Sequence, residues 1–91
     1  MTEIRHDEAG SRYELEVDGR VAVAEYRMEG GAVAFTHTVV PPELEGRGVG
    51  SRLVAGALAD VRARGLKFVA RCSFVAAYAD RHPEVRDLLA G

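Results

Sequence analysis

The segment ELEGRGVGSRL, Glu43 to Leu53, places glycines at every second position immediately before a pattern typical of a helix. Glycine loses more conformational freedom on ordering than any other residue, so this run needs a structural or functional reason. Just before it, Pro41 and Pro42 end an apolar stretch, because proline cannot donate to a sheet ladder. The segment therefore divides the chain into a first half of strands and a second half that contains helices.

The first half has the two-residue period of half-buried strands. The stretch SRYELEV alternates apolar with charged or polar residues, and Asp18-Gly19 after it predicts a tight hairpin turn. A second turn is predicted at Glu29 to Gly31. We expect an antiparallel meander of strands at residues 11–17, 20–28 and 32–40.

In the second half the apolar period becomes helical, and Gly65 is placed to end that helix. The stretch LKFVARC, residues 66–72, predicts a strand, and SFVAAYADRH predicts a second helix with Ser73 as its N-cap. Pro83 suits the first turn of a last short helix. The predicted order is β-β-β-α-β-α, which indicates a layered α/β fold in one domain over residues 1–91.

Composition excludes several classes of protein. Of the 91 residues, 47% are hydrophobic and 29% are charged, as in ordinary globular domains. The net charge of −2 gives no basic footprint, so we expect no nucleic-acid binding. Cys72 is the one cysteine, which excludes an intramolecular disulfide and suits a reducing compartment. With no signal-like start and no long apolar run, we expect a cytoplasmic monomer without membrane contact.

The glycine segment has two interpretations. Helix N-termini expose unpaired N–H groups and attract anions, so the loop is a candidate cradle for a pyrophosphate, with Arg47 and Arg52 as possible additional contacts. Alternatively, the glycines only allow helix and sheet to pack closely. The residue pattern alone leaves both open.

Two known phosphate-binding loops do not match the segment. A Walker loop needs Lys-Ser or Lys-Thr after its last glycine, but Gly50 is followed by Ser51-Arg52. A dinucleotide-binding fold needs a parallel βαβ unit and an acidic residue about 20 positions further on. Residues 71–73 are Arg, Cys and Ser, and the first predicted strands form a hairpin.

The segment resembles the signature of the GNAT superfamily of N-acetyltransferases, Gln/Arg-x-x-Gly-x-Gly/Ala. Residues 45–50 match it except at the first position, where Glu45 stands. A small subfamily of minimal GNAT-like proteins is still more similar, with a histidine strand, the glycine loop, and Cys-x-Phe-x-x-x-Tyr followed by Arg-His-Pro-Glu. The corresponding stretches here are FTHTVV, EGRGVGS and CSFVAAYADRHPEV, so the resemblance covers about Arg12 to Leu89.

The resemblance implies a truncated GNAT-like fold that binds acetyl-CoA without a metal and acetylates an unidentified amine. It implies that the pantetheine arm lies along the end of THTVV, in an opening between neighbouring strands, beside an open and shallow acceptor site. The cofactor-binding residues expected from it are Val39, Val40, Glu45, Gly46, Arg47, Gly48, Val49, Gly50 and Ser51. Two alternatives remain: a non-enzymatic acyl-CoA binder or sensor, and a small structural domain.

Three residues are candidates for the chemistry. By resemblance, Tyr78 lies where a tyrosine often protonates the leaving thiolate, although a buried helix tyrosine is equally consistent. His37 alternates with Val33 and Phe35, so we expect it on an apolar side, as a core histidine or as a base. Cys72 precedes a helix N-terminus, which lowers a thiol pKa. It is either a buried apolar residue or an acetyl relay, and we favour direct transfer from CoA to the amine.

Overall fold

The computed structural model describes residues 4–90 of the chain. Short 3₁₀ segments at Pro42–Leu44 and Pro83–Leu88 accompany the regular elements. No helix within these described residues is long and apolar enough to cross a membrane. In chain order the strands and helices are β1 (Ile4–Asp7), β2 (Arg12–Val17), β3 (Arg20–Glu29), β4 (Ala32–Val39), α1 (Val49–Ala63), β5 (Phe68–Ala70) and α2 (Ser73–Arg81).

The strands form one sheet in the order β1-β2-β3-β4-β5. The first four pair antiparallel, and β5 pairs parallel to β4. Asp18 and Gly19 both have positive φ, 52° and 76°, as the predicted hairpin turn requires. Because α1 connects β4 to β5, the glycine segment lies at the start of the crossover that makes this pair parallel. The predicted meander and layered α/β fold are confirmed.

One apolar core joins the sheet to both helices. Helix α1 packs across β1 to β4, and α2 packs on β4 and β5. The apolar residues that gave the helical pattern form the buried side of α1. Residues 53, 54, 57, 58 and 61 are all almost inaccessible to solvent. Phe35 and Phe68 meet edge to face at 6.3 Å between ring centroids and tie β4 to β5.

Strand β1 was missing from the predicted order. Its sequence, IRHD, has no apolar alternation, so the two-residue period cannot reveal it. The strand pairs with β2 from Ile4–Leu15 to Asp7–Arg12 and lies over α1, where Ile4 packs on Gly56 so closely that any Cβ there would collide.

Three predicted details of the second half were wrong. Cys72, not Ser73, is the N-cap of α2, and Ser73 is the first helical residue. Strand β5 spans only Phe68–Ala70, because beyond Ala70 the chain leaves β4 to enter α2. The last segment, Pro83–Leu88, is a 3₁₀ helix. Gly65 does lie just past the end of α1, as predicted, with φ 70°.

An irregularity in β4 overturns the predicted orientation of His37. Glu25 pairs with His37 and Tyr26 with Phe35, so Thr36 is an extra residue that bulges from the ladder. Its hydroxyl donates to the carbonyl of Glu25 at 3.3 Å. The bulge shifts the alternation by one residue, and the side chain of His37 is therefore 71% exposed instead of facing the core.

Candidate active site

The strands β4 and β5 separate toward their carboxyl ends. Their last ladder pair is Phe35 with Ala70, followed by the N–H of Arg71 donating to the carbonyl of Phe35 at 3.0 Å. The next contact is between side chains, with Thr38 Oγ1 lying 3.4 Å from Cys72 Sγ. The edge of β4 beyond this point is open, which is the geometry that an extended ligand can use as a pairing surface.

The glycine loop leads directly into α1. Gly46 and Gly48 have φ values of 79° and 72°, a conformation that L side chains rarely adopt. The first N–H to bond within the helix is that of Arg52, which donates to the Gly48 carbonyl at 3.1 Å. Gly48 is the N-cap, and no described side chain caps the helix. The N–H groups at residues 49–51 therefore have no intrahelical acceptor and can receive an anion.

A cavity of about 620 Å³ lies between the end of β4, the glycine loop and α2. Its walls include two exposed apolar side chains, Val39 at 53% and Phe74 at 37% exposure. The predicted cofactor-binding residues that line it are Val39, Val40, Glu45, Gly46, Gly48, Val49, Gly50 and Ser51. Sequence reasoning did not single out four further lining residues: Thr38, Leu44, Phe74 and Arg81.

The two arginines considered for the cradle are not among the residues described as lining the cavity. Arg47 Nη2 is 3.0 Å from Asp18 Oδ2 at the β2–β3 turn, and neither Arg47 nor Arg52 belongs to the described lining of the cavity. Arg81, in the last turn of α2, is the cation found on its wall. A helical pattern could have shown that Arg81 and Phe74 share one face of α2, but not that this face meets the glycine loop.

Gly50 has a packing role that the sequence could not separate from ligand binding. A Cβ on Gly50 would lie 2.5 Å from Cζ of Phe74, so the start of α1 and the start of α2 approach closely there. In contrast, a Cβ on Gly46 or Gly48 would meet no described atom within 4 Å. The close-packing interpretation therefore accounts for Gly50, while Gly46 and Gly48 face open space.

Cys72 lies directly behind the cavity wall at Thr38 and is partly buried. Burial raises the pKa of the thiol, but hydrogen bonding from the Thr38 hydroxyl and from the N–H groups of Val75 and Phe74 outweighs it, and the net pKa lies below its ordinary value. The start of a helix favours a thiolate in this way. The thiol is placed where β4 and β5 separate, beside the cavity.

Tyr78 is buried, with 5% of its surface exposed, and does not contribute to the described cavity lining. Its ring stacks on His82 at 3.9 Å between centroids, and His82 Nδ1 lies 3.2 Å from Glu84 Oε2. Burial, and to a smaller extent the charge of Glu84, raises the pKa of the phenol. The phenol therefore stays protonated at neutral pH, and its raised pKa makes it a weaker acid than an ordinary tyrosine.

His37 lies on the opposite side of β4 from Thr38. Its Nδ1 is 3.7 Å from Glu25 Oε1 on the neighbouring strand, and both side chains are exposed. The structure thus brings Cys72 to the cavity, leaves Tyr78 in the core beside it, and turns His37 toward solvent. Within the described chain, no group of three His, Cys, Asp or Glu side chains is arranged to hold a metal ion.

Comparisons with known proteins match this architecture. The family model described as GCN5-related N-acetyl-transferase matches residues 12–88. The chain is also similar to the NMR solution structure of a "GCN5-like putative N-acetyltransferase" from Staphylococcus aureus, with a TM-score of 0.74 and 28% identity. That match covers 99% of this chain and 89% of the other. No curated protein matches the sequence.

Proposed function

Because this chain belongs to the GCN5-related N-acetyltransferase family, we propose that it transfers the acetyl group of acetyl-CoA to an amine. The observation that carries the proposal is the pair Gly46 and Gly48, which leave the loop before α1 open toward a cavity of about 620 Å³. Positive φ alone is shared with the turn glycines Gly19 and Gly65, but Gly46 and Gly48 also line the cavity and precede a helix start without a side-chain cap. A pyrophosphate bound by the N–H groups at the start of α1 would supply the partner that this helix end lacks.

Acetyl-CoA would lie across the cavity from the glycine loop to Thr38. The pyrophosphate binds at residues 46–51, and the pantetheine arm extends along the open edge of β4 at Val39 and Val40. Its amides pair with the strand backbone there, while Val39 and Phe74 cover its methylene groups. The thioester then reaches the point where Thr38 meets Cys72.

The reaction is direct transfer. A base removes a proton from the acceptor ammonium, and the amine nitrogen bonds to the thioester carbonyl carbon. The carbon–sulfur bond then breaks, the nitrogen loses its second proton, and the released CoA thiolate takes up a proton, which gives the amide and free CoA. His37 is the proposed base; since its exposed imidazole lies on the other side of β4 from Thr38, it would reach the acceptor ammonium through a bridging water. Tyr78 is the proposed acid, because the family resemblance puts a tyrosine at this place in the chain near the CoA sulfur.

Calorimetric titration with acetyl-CoA tests the first half of the proposal. We expect a one-to-one complex with a dissociation constant in the micromolar range, on the order of that of ordinary enzyme–substrate pairs. If the folded protein gives no heat of binding even with acetyl-CoA at millimolar concentration, about the upper limit of that range, the proposed function is contradicted.

A second function, acyl-CoA binding without catalysis, is favoured by one observation: none of His37, Cys72 and Tyr78 contributes to the described lining of the cavity. A screen of primary amines that follows CoA release separates the two functions. Intact-protein mass spectrometry of the complex without an amine then tests the route. Direct transfer predicts no acetyl adduct, whereas a stoichiometric adduct on Cys72 that an amine later discharges establishes a covalent relay.

A further inference from the structure

The charges on the cavity wall are few and opposed. Among the described lining residues, Glu45 carries the one negative charge and Arg81 the one positive charge. A carboxylate beside the glycine loop repels a bound phosphate, so the N–H groups of α1 act against Glu45 when they hold an anion. A cation on the same wall would offset that repulsion.

The arginines of the neighbouring loops already have carboxylate partners. Arg47 lies 3.0 Å from Asp18, and Arg20 lies 3.3 Å from Glu43. Arg81 makes no ion pair with any residue in the described range 4–90. Of these three arginines, Arg81 is the one that lines the cavity with its charge uncompensated.

A cation in the last turn of a helix also stabilises the helix dipole, which is the ordinary explanation for Arg81. At the end of α2, however, Arg86 from the following 3₁₀ segment already performs that role. Its Nε donates to the carbonyl of Ala79 at 3.2 Å, and its Nη2 donates to the carbonyl of Asp80 at 2.6 Å. With these carbonyls satisfied, the guanidinium of Arg81 is not required to cap α2.

The position of Arg81 on α2 directs it to the ligand. Phe74 and Arg81 are seven residues apart, which places them two turns apart on one helical face, and both line the cavity. Phe74 also contacts the start of α1 at Gly50. The face of α2 that carries Arg81 is therefore the one that packs against the anion-binding end of α1.

We propose that Arg81 binds a phosphate group of CoA from the α2 side of the cavity, opposite the glycine loop. The inference rests on the proposed acetyl-CoA binding and assigns to it a side chain outside the glycine segment. The shared chemistry is a phosphate oxygen accepting charge-assisted hydrogen bonds from the guanidinium. CoA offers two such groups, the diphosphate and the 3′-phosphate.

The test compares dissociation constants of acetyl-CoA for the wild type, Arg81→Gln, Arg81→Lys and Arg20→Gln. Arg20→Gln is the matched control, since it removes the same charge from a residue that pairs with Glu43 and lies outside both the glycine loop and the described cavity lining. We expect Arg81→Gln to weaken binding about tenfold or more and Arg81→Lys to recover part of the loss, because charged hydrogen bonds contribute on that order. Arg20→Gln should change the constant by less than about twofold.

Repeating the titrations with CoA and 3′-dephospho-CoA identifies the phosphate. If the effect of Arg81→Gln persists with 3′-dephospho-CoA, Arg81 binds the diphosphate; if it disappears, Arg81 binds the 3′-phosphate. Equal affinities for the wild type and Arg81→Gln, or equal losses in Arg81→Gln and Arg20→Gln, overturn the assignment. A wild-type chain that binds no acetyl-CoA instead removes the proposed function itself.

Discussion

The two ends of helix α1 use the same residue for different purposes. Gly48 precedes the helix with φ 72°, and Gly65 follows it with φ 70°. A Cβ at either position would meet no described atom within 4 Å. The two glycines are therefore equivalent in backbone conformation and in the space around them. They differ in the hydrogen-bond partners of the helix end that each one adjoins.

At the carboxyl end, the chain satisfies itself. The N–H of Leu66 donates to the carbonyl of Val61 at 3.0 Å, and the N–H of Gly65 donates to that of Arg62 at 3.0 Å. This is the Schellman arrangement, in which a left-handed glycine closes the helix. Asp60, in the last turn, accepts hydrogen bonds from Tyr13 and Arg64, each at 2.7 Å.

At the amino end, residues 49–51 line the cavity, and no described side chain caps their N–H groups. A glycine that closes a helix is explained by folding alone, whereas one that leaves a helix end open requires another partner. The comparison teaches that φ alone does not distinguish a structural glycine from a ligand-binding one. The hydrogen-bond inventory around it does.

We call the amino end of α1, at the cavity, the open end and its carboxyl end the closed end. The largest expected effect is on kcat, through residues near the open end. We expect His37→Ala and Tyr78→Phe each to lower kcat about 100-fold, because each removes a proposed proton-transfer group. His6 supplies the matched control, because it lies near the carboxyl half of α1 and stacks on Tyr13 at 4.2 Å between ring centroids. His6→Gln should lower stability and leave kcat of the folded protein nearly unchanged. An equal loss of kcat in all three variants would contradict the proposed roles.

Exchanging the two glycines gives the next largest effect. Gly48→Val should weaken acetyl-CoA binding by about 2 kcal/mol or more, roughly 30-fold, through lost N–H contacts and steric exclusion. Gly65→Val strains the backbone similarly, so both variants should lose about 1–2 kcal/mol of unfolding free energy. Only Gly48→Val should change the dissociation constant. Calorimetry measures the dissociation constant and urea denaturation the free energy of unfolding. Equal acetyl-CoA affinities in Gly48→Val and Gly65→Val would contradict the distinction between the two ends of α1.

The sequence predicted the closed end better than the open one. Alternation in β2 and the helical period of α1 reflect burial against a single core, which local pattern records directly. The bulge at Thr36 leaves no such signal, because an inserted residue looks like normal alternation until the partner strand is known. That is why His37 was placed on the wrong side of the sheet.

Tertiary contacts likewise decided which residues surround the cavity. Gly50 resembles the other loop glycines in sequence, yet Phe74 from α2 explains it. The pairing of Arg47 with Asp18 cannot be read from the loop sequence, and Arg81 resembles an ordinary helix-end cation although it lines the cavity. Each of these assignments depends on a residue distant in the chain, so no short window of sequence could supply it.

A third prediction concerns the closed end and pH. Burial raises the pKa of Asp60, but its hydrogen bonds from Tyr13 and Arg64 lower it further, so the net pKa is below the ordinary value. This stabilisation is present above the unfolded pKa of about 3.9 and is lost as pH falls through the folded value. Asp60→Asn should therefore cost about 1–2 kcal/mol near neutrality.

The measurement is urea denaturation of the wild type and Asp60→Asn from neutral pH to below about pH 3, past the ordinary aspartate pKa. The difference in unfolding free energy should shrink as the wild-type carboxylate becomes protonated. Acetyl-CoA affinity at neutral pH should be the same in both proteins. A loss of affinity in Asp60→Asn would show that the closed end also contributes to the ligand site.

The smallest expected effect tests whether the Thr38 hydroxyl, on the cavity wall, lowers the pKa of the Cys72 thiol. Thr38→Val keeps the side-chain shape and removes the hydroxyl 3.4 Å from the thiol, so the pKa of Cys72 should rise. Alkylation by iodoacetamide should then slow by a few-fold below that pKa, since the thiolate is the nucleophile, and the two rates should converge at high pH. Thr36→Val is the matched control, because its hydroxyl donates to Glu25 at the bulge instead. Identical alkylation profiles for the wild type and Thr38→Val would show that the Thr38 hydroxyl does not set the reactivity of Cys72, and would leave the backbone N–H groups around the thiol as its cause.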